Sequence, residues 1–543
     1  MSGRIGRLTA NSLWLLSCLP DWWAFRRDLQ DVAGTQERYL LSLVRRNAET
    51  EFGRRHGFDR IRTVADYQAA VPLSTYEDYR EDVAAIAAGR PGVLTREPVQ
   101  LLELTSGSTA ATKQVPYTAG LKADFQRAIA PWIADLYLHD WRLLRGQSYW
   151  SVSPVARRNQ RTAGGIPIGF EEDADYLGGL QRRVMQSLMA VPSAVRLLSD
   201  METFRYVTLL WLLRSRSLGL ISVWNPTFLT LLLERLPEWL PRLADDLAAG
   251  TLSVAVPDDL RADLTPPPTP RRADAVRAAG PDPARLWRNL RLVSCWTDAN
   301  AAPYAPQIAA LFPRARLQGK GLLATEGFVS FPLVGQEGAA LALRSHFFEL
   351  LPEGGGEPLL AHRLEQGGRY SVVLTTSGGL YRYQLHDLVE VAGQLGAACP
   401  LLRFLGKEAH VSDRFGEKVN EQHVREALQS LTAGLGLAPA FAMVACEGKA
   451  YTLFIEAPDA SDEVLLRLGS ALEGALRENF HYQYCRNLGQ LEPVRVFRID
   501  PGQGSQAYLQ ACVARGQRAG DVKPTSLHHL DGWLAIFPGR LLA

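Results

Sequence analysis

The chain has 543 residues, with 59 Lys and Arg against 57 Asp and Glu, and a formal net charge of +2. That balance excludes a protein dominated by one nucleic-acid-binding basic face, and 47% apolar with 21% charged residues is too hydrophobic for a disordered chain. The length allows roughly two to four domains with ample core, and only seven of the basic residues are lysine against 52 arginine.

The apolar stretch Ser12 to Cys18, followed by Pro20, Asp21, Trp22 and Trp23, is too short to span a membrane and lacks a small-residue cleavage site. It reads as an amphipathic helix packed on the body. Between 29 and 90 the apolar spacing, as in Gln36 to Val44, is closer to 3.6 than to 2 and predicts helices. Val99 to Thr105 predicts a strand running into a Gly/Ser/Thr turn at 106–109. From about 120 to 250 the chain is heavy in Leu, Trp and Arg and reads as helix-rich, with Asn225-Pro226 a start signal. Thr265 to Pro270 predicts a loop, because its prolines remove backbone donors and fix φ.

From 288 onward short apolar runs punctuated by glycine predict strands at 290–296, 341–351, 369–376, 388–392 and 401–406. Beyond these come a helix at about 420–433, strands at 440–446 and 451–456, a helix at 462–480 and a strand at 493–499. They make an independent α+β unit, with its boundary at 405–415. The six cysteines are scattered with no C-x-x-C pair. That excludes clustered zinc-finger spacing and a disulfide framework, and fits reduced thiols in a cytoplasmic protein.

Five segments can carry chemistry. Leu104 to Lys113 places Ser106, Gly107, Ser108 and Thr109 after a strand, where backbone N–H groups and hydroxyls can meet phosphate oxygens and Lys113 adds a positive charge. It is not a Walker A loop, since Thr112 stands where the second glycine belongs. Gln318 to Gly327 holds Glu326 in a glycine-flanked apolar stretch, where an unpaired carboxylate is costly unless a cation compensates it. In Leu380 to Val391, Asp387 can accept hydrogen bonds from a ribose diol. Lys407 lies in a polar connector running to Glu421, and Lys523 precedes Pro524 near the end of the sequence. Each segment alone is equally compatible with a turn or a solvated loop. There is no H-E-x-x-H, since His346-Phe-Phe-Glu349 lacks the second histidine, no G-x-S-x-G elbow, and no G-x-G-x-x-G opening a helix.

Taken jointly, and with Asn47 to Phe58, Val71 to Asp78, Val115 to Thr118 and Cys295-Trp296, these segments resemble in order and spacing the GH3 family of acyl-acid amido synthetases, a branch of the acyl-adenylating superfamily. The resemblance implies an α/β fold: a large N-terminal α/β domain with mixed sheets and a helix-rich insertion, and a small α+β C-terminal lid domain. The domains would be 1–405, a hinge at 406–415, and 416–543. It implies that a carboxylic acid is adenylated with ATP and Mg²⁺, and that the acyl group passes to an amine, typically an amino acid. By position, Ser106, Gly107, Ser108, Thr109 and Lys113 would hold phosphates, with Thr109 also catalytic. Thr325 and Glu326 would contact the α-phosphate and, through Glu326, the metal. Asp387 would hold the ribose, Lys407 would sit at the hinge, and Lys523 would stabilise charge during adenylation.

Two departures stand out: His386 occupies the family's usual glycine before the aspartate, and Ala110-Ala111 replaces the extra glycine of the phosphate loop. An acceptor thiol such as coenzyme A, or a silent acid-binding protein of the same fold, are the alternatives. The expected partners are small-molecule acid and amine substrates, with no nucleic acid and no membrane, acting on a monomer. Tyr149, Trp150, Phe170, Tyr176 and Trp224 are candidates to line the acyl pocket.

Overall fold

The computed structural model describes residues 2–105, 113–151, 160–169, 188–353, 355–407, 411–514 and 525–542. By internal packing the chain divides into two compact units, one formed by Met1–Thr105 with Gln114–Glu408, the other by Ala409–Ala543 with Ser106–Lys113.

The first unit opens with the helix Ser2–Asp28. Trp14, Cys18, Trp22 and Phe25 recur at helical spacing and are buried, while Leu13, Leu16 and Trp23 face outward. Trp14 meets Tyr137 of the helix Ala119–His139 edge to face at 5.9 Å. The next helix, Val32–Arg46, is capped by Asp31, whose side chain accepts from Gly34 N–H, and buries Leu40, Leu43 and Val44.

The stretch 120–250 is helix-rich as its composition predicts, and Pro226 does open a helix, Pro226–Glu234. It also contributes two strands that periodicity does not single out, β3 (Gln147–Trp150) and β4 (Leu218–Ser222). Neither Gln-Ser-Tyr-Trp nor Leu-Gly-Leu-Ile-Ser, set among apolar neighbours, carries an alternation of apolar and polar residues to mark it. With β5 (Leu292–Cys295) and β6 (Arg316–Gly319) they form an all-parallel sheet in the order β3-β4-β5-β6. The proline-rich segment is irregular to Thr269, and Pro270 starts a helix at the position where its fixed φ fits best.

A seven-stranded antiparallel sheet follows, ordered β10-β9-β11-β12-β13-β8-β7. The single run expected at 341–351 resolves into two strands, β8 (Ala339–Leu341) and β9 (Phe347–Pro352). A turn at Ser345 separates them, its Oγ donating to Ala342 O at 2.7 Å. The remaining strands are β7 (Ser330–Pro332), β10 (Leu359–Leu360), β11 (Arg369–Thr375), β12 (Tyr383–Leu395) and β13 (Cys399–Lys407). One continuous apolar core runs from the first helix through this sheet.

The second unit is α+β. A five-stranded sheet, mixed in direction, is flanked by the helices Glu421–Gly434, Asp462–Arg477 and Phe480–Asn487. All six cysteines are free and buried. Among the described residues no helix is long and apolar enough to cross a membrane.

Candidate functional site

Thr325 and Glu326 form the tip of a closed hairpin. Ala324 N–H donates to Gly327 O at 3.0 Å and Gly327 N–H returns to Ala324 O at 3.2 Å. Below the turn, Leu323 bridges Phe328 and Leu322 is tied to β7 through Ser330 Oγ at 3.0 Å. Tyr117 Oη–H donates to Thr325 O at 2.5 Å, fixing the tip from β2 (Lys113–Tyr117). A Cβ on Gly327 would lie 2.9 Å from His346 Nε2, and that nitrogen accepts Phe328 N–H at 2.9 Å. The ring is therefore the Nδ1–H tautomer, and burial pushes its pKa down to about 3.

Glu326 is 9% exposed. Its carboxylate accepts one long hydrogen bond, from Tyr383 Oη at 3.4 Å, and burial together with that carboxylate holds the phenol well above its ordinary pKa. Among the described residues no Lys, Arg or His lies within ion-pair distance of Glu326. A buried carboxylate with no cation is costly by itself and suits a hard cation supplied with a ligand. No cluster of three or more His, Cys, Asp or Glu is found among the described residues, so a metal here would take one protein carboxylate and complete its shell with substrate oxygens, the mode usual for Mg²⁺.

Tyr383 also begins β12, which carries Asp387, 3% exposed. The β11–β12 register shifts between Ser371 and Val373, where Leu388 and Gln384 are the successive partners, so β12 bulges by two extra residues. Inside the bulge His386 has φ 58°, the left-handed region that glycine adopts freely. The glycine that the sequence resemblance leads one to expect here would meet this backbone demand freely, and His386 satisfies it under strain. Asp387 sits opposite Lys407 across the β12–β13 pair. His386→Gly is expected to hold or raise stability by up to about 1 kcal/mol, since relief of a left-handed side chain outweighs glycine's extra unfolded-state freedom. Thermal unfolding checks this; a clear drop would mean the imidazole makes contacts worth more than the strain.

The entry to β12 is heavily pinned. Arg382, itself left-handed at φ 48°, makes a two-pronged ion pair with Glu349 of β9, both bonds 2.9 Å. Its third nitrogen donates to Gln68 O and Val71 O at 2.9 and 2.8 Å. Ser74 and Tyr79 hydroxyls donate to Tyr381 O at 2.8 and 2.7 Å, and Phe52 stacks on Tyr381 at 4.6 Å. The segments 47–58 and 71–78 therefore buttress the Tyr-Arg-Tyr run and carry no reactive group.

At the C-terminal edge of the parallel sheet, Lys320 follows β6 and its Nζ donates to Ser222 Oγ at 2.7 Å. Its ammonium lies 4.6, 5.5 and 5.8 Å from the ring centres of Trp224, Trp132 and Trp150. Burial lowers its pKa to about 7. Trp296 packs on Trp224 at 6.0 Å. Open parallel sheets place ligands at this edge, and here three indoles surround one amine, with Trp296 packed behind Trp224.

Of the residues singled out from sequence, Thr325, Glu326 and Asp387 are described with their side chains, and Tyr383 links the turn to β12. Lys113 opens β2 and Lys407 ends β13. Ser106, Gly107, Ser108, Thr109 and Lys523 lie outside the described residues, as do Phe170 and Tyr176. Tyr149 is a buried β3 residue, and Trp150 and Trp224 reach the Lys320 crevice. Sequence reasoning named Tyr117 only within Val115 to Thr118 and weighed His346 and Glu349 only as an incomplete metal motif, so it missed the structural role of all three. Their only signal was a polar residue inside an apolar run.

A large α/β unit followed by a small α+β unit is the fold of the acyl acid amido synthetases. Two solved structures of the GH3.15 acyl acid amido synthetase share it. One is 20% identical with TM-score 0.62 over 94% of each chain. The other, AtGH3.15 in complex with 2,4-DB, is 20% identical with TM-score 0.66 over 96% of this chain and 95% of that one. The chain belongs to the GH3 family: the GH3 family N-terminal domain matches residues 23–317, the central domain 339–407 and the C-terminal domain 420–529. Among relatives, the probable indole-3-acetic acid-amido synthetase GH3.2 of Oryza sativa subsp. japonica is 25% identical over 433 residues, 73% of this chain and 70% of that protein. Indole-3-acetic acid-amido synthetase GH3.3 of Arabidopsis thaliana is 21% identical over 437 residues, 75% of this chain and 72% of that protein.

Proposed function

We propose that this protein is an AMP-forming amide ligase, which adenylates a carboxylic acid with ATP and transfers the acyl group to an amine, an amino acid first among the candidates. The observation that carries the reading is Glu326: a buried carboxylate on a closed turn, held by Tyr117 and Tyr383, with no cation of its own among the described residues. Mg²⁺ bound there with ATP supplies charge neutralisation at the α-phosphate. Thr325 positions the same phosphate, and Asp387, opposite Lys407, receives the ribose hydroxyls. Ser106, Gly107, Ser108, Thr109 and Lys113 take the remaining phosphates.

The acid's carboxylate attacks the α-phosphorus, releasing pyrophosphate; the amine then attacks the acyl carbon, releasing AMP. Lys523, carried by a lid of residues 416–543 that swings about a hinge at 406–415, stabilises the charge that grows in the first step. The indole-lined crevice at Lys320 favours an acid with a flat or apolar body.

Acid-dependent ATP–pyrophosphate exchange over a broad acid panel tests the reading. At least one acid should stimulate exchange with Mg²⁺, and amino-acid amide should then form in preference to a coenzyme A thioester. If no acid stimulates exchange the enzyme reading fails; if thioester dominates, the acceptor is a thiol.

A further inference from the structure

The opposite, N-terminal edge of the parallel sheet holds a feature that the ligase reaction does not use. A cavity of about 530 Å³ opens there beside Gln147, the first residue of β3, and Ser217, which precedes β4. Arg7, Arg214, Arg216, Arg271 and Arg272 line it, and among the described residues no carboxylate does.

On neighbouring elements Arg235 meets Glu202 and Glu238, Arg277 meets Asp245 and Asp274, and Arg291 meets Asp140. Among the described residues Arg214, Arg216, Arg271 and Arg272, gathered on one cavity, make no ion pair. Arg272 is 9% exposed and spends its hydrogen bonds on two carbonyls, Leu213 O at 2.5 Å and Leu286 O at 3.0 Å, which satisfy its donors without neutralising its charge. Burial pulls its pKa down to about 10, and the like charge of Arg216 pulls in the same direction. Arg214 stacks on Trp211 at 5.1 Å, and its buried Nε has no hydrogen-bond partner.

Like charges gathered around a concave space and partly desolvated, four of them with no carboxylate partner among the described residues, are unfavourable until an anion enters. Guanidinium groups answer oxyanions with paired N–H donors, and the volume falls within the roughly 300–1,000 Å³ of small-molecule sites. A long nucleic acid or a protein surface needs a convex or extended basic face, which a recess of this size does not offer. We propose that this cavity binds a small polyanion, a molecule bearing phosphate groups or closely spaced carboxylates, at a site distinct from the one that performs the ligation. This inference stands independently of the proposed activity.

Inorganic pyrophosphate and citrate are suitable probes, titrated calorimetrically into the full chain without ATP, at matched ionic strength against chloride. The comparison is with the double variant Arg216→Ala/Arg271→Ala, two exposed side chains whose loss spares the core. Saturable binding of either probe, weakened at least tenfold in the double variant, supports the site. Preference for pyrophosphate assigns a phosphate-bearing ligand, and preference for citrate a polycarboxylate. Binding equal in both proteins places the anion elsewhere and overturns the proposal, as does the absence of saturable binding for both probes. Amide formation by the double variant, with no pyrophosphate or citrate added, should match the unmodified protein, which separates failure of this site from failure of the ligase reading.

Discussion

Glu326→Gln is expected to slow acid-dependent ATP–pyrophosphate exchange by about 10²–10³-fold, the scale on which removing one preorganised charge-stabilising group acts, and to leave the protein at least as stable. The two halves follow from one observation. The carboxylate is buried, Tyr383 Oη donates to it at 3.4 Å, and among the described residues no cation pairs with it. Without ligand it contributes a desolvation cost; the amide keeps the shape and still accepts from the phenol, so that cost disappears. With Mg²⁺ and ATP the sign reverses. The unmodified protein should gain thermal stability from the nucleotide–metal pair while the variant gains little, because ligand binding stabilises only the state that binds. Thermal unfolding with and without Mg-ATP, beside the exchange assay, reads both effects. A variant that exchanges within threefold of the original would remove Glu326 from the metal.

Much of this arrangement was legible in the sequence, and the remainder was hidden for identifiable reasons. The strands at 369–376 and 401–406 and most of the second unit announce themselves by apolar runs between glycines, and appear as β11 and β13 and as the sheet and helices beyond 420. Glu326 and Asp387 were visible because a charge in an apolar stretch needs a reason. What could not be read was partnership at a distance. Tyr117 reaches Thr325 across 208 residues, and Ser74 reaches Tyr381 across 307. No local pattern encodes such contacts. The parallel strands β3 and β4 were hidden by their apolar surroundings. His386 shows the converse: the sequence marks the departure from glycine, and only the backbone explains it, through the left-handed φ that the bulge requires.

The second large effect concerns the Arg382–Glu349 pair. Both side chains are buried, so breaking the pair from one side leaves a charge without compensation, at about 3–5 kcal/mol. The two sides are not equivalent. After Glu349→Gln, Arg382 still donates to Gln68 O and Val71 O, and the amide oxygen can accept one of its former bonds. After Arg382→Met, Glu349 keeps only Gln68 Nε2 at 2.7 Å, and the two carbonyls also lose their donor, each adding about 1–3 kcal/mol. Arg382→Met should therefore be clearly the more destabilising substitution, by denaturant titration. The double change Arg382→Met/Glu349→Leu should recover the charge cost while the two orphaned carbonyls still weigh against it, placing it between the singles and the original. Because Arg382 sits immediately before Tyr383, and the bulge holding Asp387 follows, variants that stay folded should show a raised KM for ATP with a smaller change in kcat. If the two single variants cost the same, the carbonyl bonds contribute nothing, and the anchor at the head of β12 reduces to the ion pair alone.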